Sequence, residues 1–480
     1  MSADAEKIRR ARAVRELRRI LPKETPAPFD REPLAELLTR VSGKRMPATS
    51  FARAWILGSL QAKLAAGYFA FWLRGKFADA DIKARLKSEA QLAAALELFG
   101  TMGYLRGAVM KIGQLLANLP AVVPEEVAEV LAALHFEAPS MHYSIVRELF
   151  LDEFGCEPEE MFASFDRQAF SAASLGQVHL ARLPSGENVA VKIQYPDIAR
   201  TIRADLRNLR ILLQPMRLSG DWQPMLDTLA DVERMLLMET DYDQEARSCR
   251  EARSLFTPDD GIVVPKVYDA YSGKRVLTTE YLPGRHLREY LATNPGQEER
   301  DRFTRLLVLA TMRPFYRTHR LFADPHPGNF LFMDDGRLGI LDFGCVRTLS
   351  DEEWRLLLEL DQAVRTEDEP CVDRCIARAC LFDDPAEMEP DRLATLRRSM
   401  EWNFEPWRTE GPFDFGDEGF YRRGIDVLAA VARKRYTRAA PLHLWLSRFI
   451  FGSRAMAYRL KGRCDFRQLY RQEFPDPASP

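Results

Sequence analysis

Between Leu321 and Gly344 the chain reads Leu-Phe-Ala-Asp-Pro-His-Pro-Gly-Asn-Phe-Leu-Phe-Met-Asp-Asp-Gly-Arg-Leu-Gly-Ile-Leu-Asp-Phe-Gly, and no other stretch limits the available folds as much. Asp324 stands five residues before Asn329, which stands thirteen before Asp342. The apolar run Leu338-Gly-Ile-Leu341 follows the turn signal Asp334-Asp335-Gly336. That pattern predicts a hairpin that sets Asn329 and Asp342 side by side.

These residue types suit phosphoryl transfer. A nucleoside triphosphate carries several negative charges that magnesium neutralises, and Mg2+ takes hard oxygen ligands such as an Asn carbonyl and an Asp carboxylate. Asn329 and Asp342 are the expected metal ligands, and Asp324 is expected to orient or deprotonate an acceptor. Taken singly, Asp-Pro, His-Pro-Gly and Asp-Phe-Gly are ordinary turns. Their joint spacing points to a catalytic loop followed by a metal-binding motif. Such a site needs an upstream strand lysine, and Glu187-Asn-Val-Ala-Val-Lys-Ile-Gln194 supplies Lys192, expected to hold the α and β phosphates of ATP. A strand ending Gln177-Val-His-Leu-Ala181 leads into it through the turn Arg182-Leu-Pro-Ser-Gly186. The phosphate-covering loop then falls at Ser171-Ala172-Ala173-Ser174-Leu175-Gly176, alanine-rich where a typical kinase has three glycines. Gly176 is expected to supply positive-φ freedom and close backbone approach, and the phosphates to be gripped differently or more weakly.

With Ser171-Ala-Ala-Ser-Leu-Gly-Gln-Val-His179, Ala190-Val-Lys192, Asp324-Pro-His-Pro-Gly-Asn329 and Asp342-Phe-Gly344 in order on one chain, the sequence resembles the UbiB-type atypical kinases. That family includes the coenzyme Q kinases of mitochondria and related bacterial and plastid proteins. Lys111-Ile-Gly-Gln114 is similar to its Lys-x-Gly-Gln motif, and Glu239-Thr-Asp241-Tyr-Asp-Gln-Glu245 to its Glu-x-Asp motif with the following helix-C glutamate. The motifs cover residues 111 to 344, and their joint order is far more specific than any one of them. Ser171 departs from the family, which usually has alanine there. The resemblance implies ATP and Mg2+ as cofactors, and nucleotide contacts from Ala172, Ala173, Ser174, Gly176 and Gln177. It also implies a helix packed over the cleft, from which Lys111 reaches toward Glu239 and Asp241 and blocks a peptide groove.

The residues carry their own pattern beside that resemblance. Leu105, Ala108, Ile112 and Leu115 fall at helical intervals and put Lys111 and Gln114 on one face, either docked into a site or simply exposed. Residues 223 to 255 read as helix with a buried stripe of Leu226, Leu229, Val232 and Leu236. Asp241 and Glu245 share a face, but Glu239 is turned about 200° from Asp241. Either the helix breaks near Thr240 or the carboxylates serve different lysines. Glu245 is assigned to Lys192 as an ion pair, and Glu239 with Asp241 to Lys111 or metal, with solvated acids as the plain alternative. The strand Val276-Leu-Thr-Thr-Glu280 and its Pro-Gly turn place an adenine-binding hinge at Glu280, Tyr281 and Leu282, through backbone groups.

After Asp342-Phe-Gly344 only Cys345-Val-Arg-Thr-Leu349 precedes Ser350-Asp-Glu-Glu353, a capping-box signature that opens a helix. No activation loop fits, and no Ala-Pro-Glu-like anchor follows, which disfavours a protein substrate.

At 480 residues and 46% apolar content the chain can bury a large core, and a net charge of −2 argues against nucleic acid as a partner. Seven cysteines imply a reducing compartment, and Cys371, Cys375 and Cys380 read as core or surface thiols because no histidine completes a zinc site. The first 22 residues hold seven basic and three acidic side chains on an amphipathic stripe, suited to an anionic membrane surface or to docking on the protein's own body. No signal-peptide core follows, and Glu6 and Glu16 count against a transit peptide. Phe51 to Leu73 is apolar but interrupted by Arg53 and Lys63, which indicates a buried or interfacial helix. The aromatic stretch Trp402 to Tyr421 reads as core of a helical lobe, with a pocket for an isoprenoid tail as the alternative.

The expected fold is α+β, a two-lobed atypical protein-kinase-like fold. Its parts are a basic segment and linker (1–45), a helical N-terminal extension (46–150), a small lobe (151–284), a helical large lobe (285–474) and a disordered tail (475–480). The expected function is a magnesium-dependent ATPase or small-molecule or lipid kinase. By resemblance it supports quinone or isoprenoid-lipid metabolism from the cytoplasm, peripheral at the inner face of a membrane. The alternatives are a protein serine/threonine kinase and a non-catalytic nucleotide-binding scaffold.

Overall fold

The computed structural model describes residues 141–173, 175–212, 222–322, 324–434 and 441–473. Helix α1 (Tyr143–Phe154) stops where Gly155 enters the left-handed region at φ 73°, and one turn, α2 (Pro158–Met161), leads to the first sheet. Strands β1 (Ser164–Phe165), β2 (Ser171–Ala173), β3 (Gly176–Arg182) and β4 (Asn188–Gln194) precede helices α3 (Ile198–Leu212), α4 (Trp222–Met238) and α5 (Tyr242–Ser254). A two-residue strand, β5 (Ile262–Val263), and β6 (Val276–Glu280) follow. The sheet runs β1-β3-β4-β6 with β2 also on β3, and these pairings are antiparallel.

Period-two alternation explains which face of this sheet is apolar. Val189, Val191 and Ile193 of β4 pack with Val146, Leu149 and Phe150 of α1, so Lys192 must point to the opposite face. Helix α1, which spans residue 151, closes this core with Val146, Leu149 and Phe150.

The rest is mainly helical. Helix α6 (Leu287–Ala292) leads to α7 (Gln297–Thr318), which is buried on every side from Leu306 to Pro314 and forms the axis of the large lobe. Strands β7 (Arg320–Phe322), β8 (Phe330–Phe332), β9 (Leu338–Ile340) and β10 (Val346–Thr348) come next. Strands β8 and β9 form the predicted hairpin, with Phe330 opposite Ile340, while β10 pairs antiparallel with β7. Helix α8 (Asp351–Arg365) opens on the predicted capping box: the Glu353 N–H donates to Ser350 Oγ, and the Ser350 N–H donates to the Glu353 carboxylate. Helices α9 (Glu369–Ala379) and α10 (Pro390–Arg408), strand β11 (Phe413–Asp414), helices α11 (Glu418–Lys434) and α12 (Pro441–Leu460), strand β12 (Arg463–Cys464) and helix α13 (Phe466–Glu473) complete the lobe. Trp402, Phe413, Phe415 and Phe420 fill the core there, as the aromatic stretch suggested.

Candidate active site

The topology explains the motif spacing. Strand β7 delivers Asp324, the β8–β9 hairpin separates Asn329 from Asp342, and β10 carries the chain back alongside β7, with Val346 opposite Phe322. The Leu341 N–H donates to the Asn329 carbonyl oxygen at 2.9 Å, so Asn329 and Asp342 are neighbours across the end of the hairpin.

Each of these side chains is held by one end. Asn329 Nδ2 donates to the Asp324 carbonyl oxygen at 2.8 Å, so the amide's nitrogen is spoken for and its Oδ1 is the end left for a cation. Asp342 Oδ1 accepts the Gly344 N–H at 2.9 Å, while Oδ2 lies 3.4 Å from Lys192 Nζ. Two hard oxygens, one neutral and one anionic, sit on adjacent residues of a hairpin end, and this donor set fits Mg2+.

Lys192 is gripped harder by Glu245, at 2.8 and 2.9 Å to its two oxygens. Glu245 is only 2% exposed. Burial pushes the Glu245 carboxyl up to about 7 against the pull of Lys192, with Asp342 and Glu239 adding to the rise. Burial opposes the Lys192 charge too, but Asp342 and Glu245 outweigh it and hold the ammonium well above the usual lysine value. The Tyr242 ring, 5.1 Å from Nζ, adds a cation–π contact.

The helix carrying Glu245 is separate from the one before it. Helix α4 ends at Met238, the Thr240 hydroxyl donates back to the Leu237 carbonyl, and Asp241 caps α5 by accepting the Gln244 N–H. This is a break near Thr240, one of the two alternatives the angular argument left open. Gln194 at the end of β4 donates to the Thr240 carbonyl at 2.9 Å and ties the break to the strand of Lys192. Glu239 is buried, whereas Asp241 is exposed and used as a cap. Lys111 and Gln114 lie outside the described residues, as do Ser174 and the Phe51 to Leu73 segment.

Two expectations about the alanine-rich segment need correcting. It is a hairpin more than a loop, with Ala172 opposite Gln177 and Ala173 opposite Gly176. Gly176 has no positive φ; a Cβ there would overlap the Ile193 carbonyl oxygen, so closeness to β4 is what requires glycine. Gln177 pairs with Ile193, on the α1 face and away from Lys192. Its side chain accepts the Met141 N–H at 2.6 Å and bonds the His179 ring at 2.7 Å, so the amide is engaged on the α1 face.

At the hinge, the Glu280 N–H donates to the Lys266 carbonyl and the Tyr281 N–H to the Asn188 carbonyl. Among the described residues the Leu282 N–H has no backbone partner. The exposed Phe170 ring stands edge-on to Tyr281, with centroids 6.1 Å apart.

A residue that sequence reasoning missed reaches Asp324. Arg448 of α12 donates to Asp324 Oδ1 at 2.6 Å. One turn on, Gly452 lies so close to Pro325 that any Cβ would collide with the proline ring. Arg448 and Gly452 share a helix face at i, i+4 spacing, and that pair inside an apolar helix was the only available signal. Cys371, Cys375 and Glu359 come within 4.8 Å of one another. Arg378 already engages Glu359 at 2.6 Å, and burial pushes the Cys375 thiol up to about 12, which disfavours the thiolate a metal would need.

A family model described as the ABC1 atypical kinase-like domain matches residues 133–375. The chain belongs to this family. Its relatives bear out the expected UbiB kinship. This ABC1 kinase-like chain is 27% identical over 440 residues to the mitochondrial atypical kinase COQ8B of Danio rerio, covering 91% of this chain and 70% of that protein. It is 33% identical to an uncharacterized protein of Synechocystis, covering 56% of this chain and 40% of the relative, and 29% identical to AarF domain-containing kinase 1 of Drosophila melanogaster, covering 58% and 55%. The chain thus spans about half the length of many of the curated relatives it matches. Among solved structures it is similar to Rv3197 of Mycobacterium tuberculosis in complex with erythromycin, with a TM-score of 0.54, 27% identity, and coverage of 83% of this chain and 100% of that one. The two-lobed α+β kinase-like fold is therefore established. No described helix is long and apolar enough to cross a membrane.

Proposed function

We propose that this family member is a magnesium-dependent ATPase or small-molecule kinase, with an isoprenoid or quinone-like lipid at a membrane surface as the acceptor class. The observation that carries the reading is Lys192, fixed between Glu245 at 2.8 Å and Asp342 at 3.4 Å. In this reading Glu245 aims the Lys192 ammonium at the α and β phosphates, and the Leu282 N–H meets the nucleobase. Ala172, Ala173 and Gly176 line the phosphates with backbone only. Asn329 Oδ1 and Asp342 would hold Mg2+, which neutralises phosphate charge when bound. Asp324, positioned by Arg448, receives the proton of a hydroxyl or orients water. Because three of the five residues after Gly344 form β10 and pair with β7, this segment offers no platform for a peptide, which favours water or a small acceptor over a protein.

The test is phosphate release from Mg-ATP with anionic liposomes and quinone-precursor mimics, alongside calorimetry of Mg-ATP binding. Wild type should release phosphate and bind; Asp342→Asn should fold, keep its Gly344 hydrogen bond through the amide oxygen, and lose magnesium-dependent binding at least a hundredfold. Well-folded wild type that binds no Mg-nucleotide would end the proposal, and phosphate transfer to added proteins in trans would redirect it to protein substrates.

A further inference from the structure

The large lobe encloses a cavity of about 230 Å³ with a mainly apolar wall that includes Met312, Leu357, Leu396, Val431 and Phe449. One part of the wall is polar. Arg454 of α12 is 9% exposed and lines this space, its guanidinium 5.0 Å from the Phe415 ring and 4.9 Å from that of Phe466. A guanidinium has five N–H donors. Among the described residues Arg454 makes one hydrogen bond, 3.3 Å to the Asn403 carbonyl oxygen, and pairs with no carboxylate. Burial pulls its pKa down to about 10.

Asn403 and Trp407 stand four apart on α10, hence on one face, and both line the cavity. Among the described residues, Asn403 Oδ1 and Trp407 Nε1 are buried without hydrogen-bond partners. Buried polar atoms and buried charges are unfavourable unless something pairs with them. Here three such groups gather at a space that is otherwise apolar, a pattern typical of a pocket that fixes one polar head and accepts an apolar body.

We propose that this cavity binds a single-chain amphiphile with a carboxylate head. The carboxylate lies on the Arg454 guanidinium and accepts the Trp407 N–H, and the Asn403 amide offers its N–H after a half-turn. The alkyl chain runs along the apolar wall. At about 230 Å³ the space falls below the roughly 300–1,000 Å³ of drug-sized sites, which suits one slim chain over a polycycle. Helix α12 separates this site from the cleft, since Phe449 and Arg454 face the cavity while Arg448 reaches Asp324. The inference therefore stands independently of phosphoryl transfer.

Titration of the full chain with dodecanoate below its micellar concentration, with dodecanol and dodecyltrimethylammonium as headgroup controls, tests it. Dodecanoate should bind at one saturable site at least tenfold tighter than dodecanol, and the cation should not compete. Arg454→Met should erase the preference and leave dodecanol binding within twofold. Val427→Phe, which fills the cavity from α11, should weaken both ligands at least tenfold while Mg-ATP binding is unchanged. Equal affinity for acid and alcohol in wild type, no saturable site in folded protein, or a preference that survives Arg454→Met each overturns it. Should Arg454→Met not fold, Trp407→Phe, which removes only the N–H donor, must cut the preference severalfold, and an unchanged preference counts against the site.

Discussion

Two ion pairs meet at the cleft and divide their roles in opposite ways. In the small lobe the cation Lys192 is the group assigned to the nucleotide, and the buried carboxylate of Glu245 supports it. In the large lobe the carboxylate of Asp324 is the group assigned to the acceptor, and the cation Arg448 supports it. The first support sits in the first turn of a helix started by its own cap, Asp241; the second sits mid-helix on α12, docked through Gly452 against Pro325. Glu245 is nearly sealed from water, whereas Lys192 and both members of the second pair keep between 16% and 19% of their side-chain surface exposed. The first pair should therefore matter more to folding, and the second mainly to turnover.

Removing the lysine gives the largest expected effect. Lys192→Met leaves Glu245 buried without its counter-ion and should cost about 3–5 kcal/mol in urea unfolding, with phosphate release lost. Adding Glu245→Leu should recover most of that stability and none of the turnover; if stability does not return, the pair is not what holds the lobe. A third ion pair, remote from the cleft, calibrates the comparison. Arg313 donates to Asp260 and Glu473, and its bond to Asp260, with the Thr257 N–H and hydroxyl donating as well, draws the Asp260 carboxyl down to about 2 from its ordinary 3.8. A depressed carboxylate contributes its stability above the unfolded value and loses it as pH falls through the folded one. Acid titration should thus remove about 2 kcal/mol between roughly pH 4 and pH 2, and Asp260→Asn should flatten that slope. An identical acid slope in the variant would show that the loss arises elsewhere. The smallest effect belongs to Arg448→Gln, expected to lower kcat about tenfold, or roughly 1.4 kcal/mol, with KM for Mg-ATP within twofold and stability within about 1 kcal/mol. A change in KM alone would place Arg448 in nucleotide binding.

The two pairs also differ in how far they could be read in the sequence. Glu245 and Lys192 fall within recognisable motifs, and the hairpin joining Asn329 to Asp342 follows from a turn signal and one apolar run. The helix break at Thr240 was one of two alternatives that rotation per residue left open. Arg448 was illegible because its contact spans 124 residues and its helix carries no motif, so only tertiary packing brings it to Asp324. The orientation of Gln177 was illegible because a motif gives residue order without strand register; one position decides the face, and pairing with Ile193 turned it toward α1. Gly176 was read as a conformational glycine when its neighbour across the sheet was the constraint. The cavity beside Arg454 is assembled from several helices, which no local pattern announces.

The short return strand β10 has one more consequence. With Val346 to Thr348 laced to β7, Leu349 bonded to the His319 carbonyl, and Phe343 buried against Phe322, the aspartate proposed to hold the metal is built into a fixed frame. Enzymes of this broad architecture commonly toggle by reshaping the segment after that aspartate. Here the segment is pinned along its length, so reshaping it would first have to break the β7–β10 pairing.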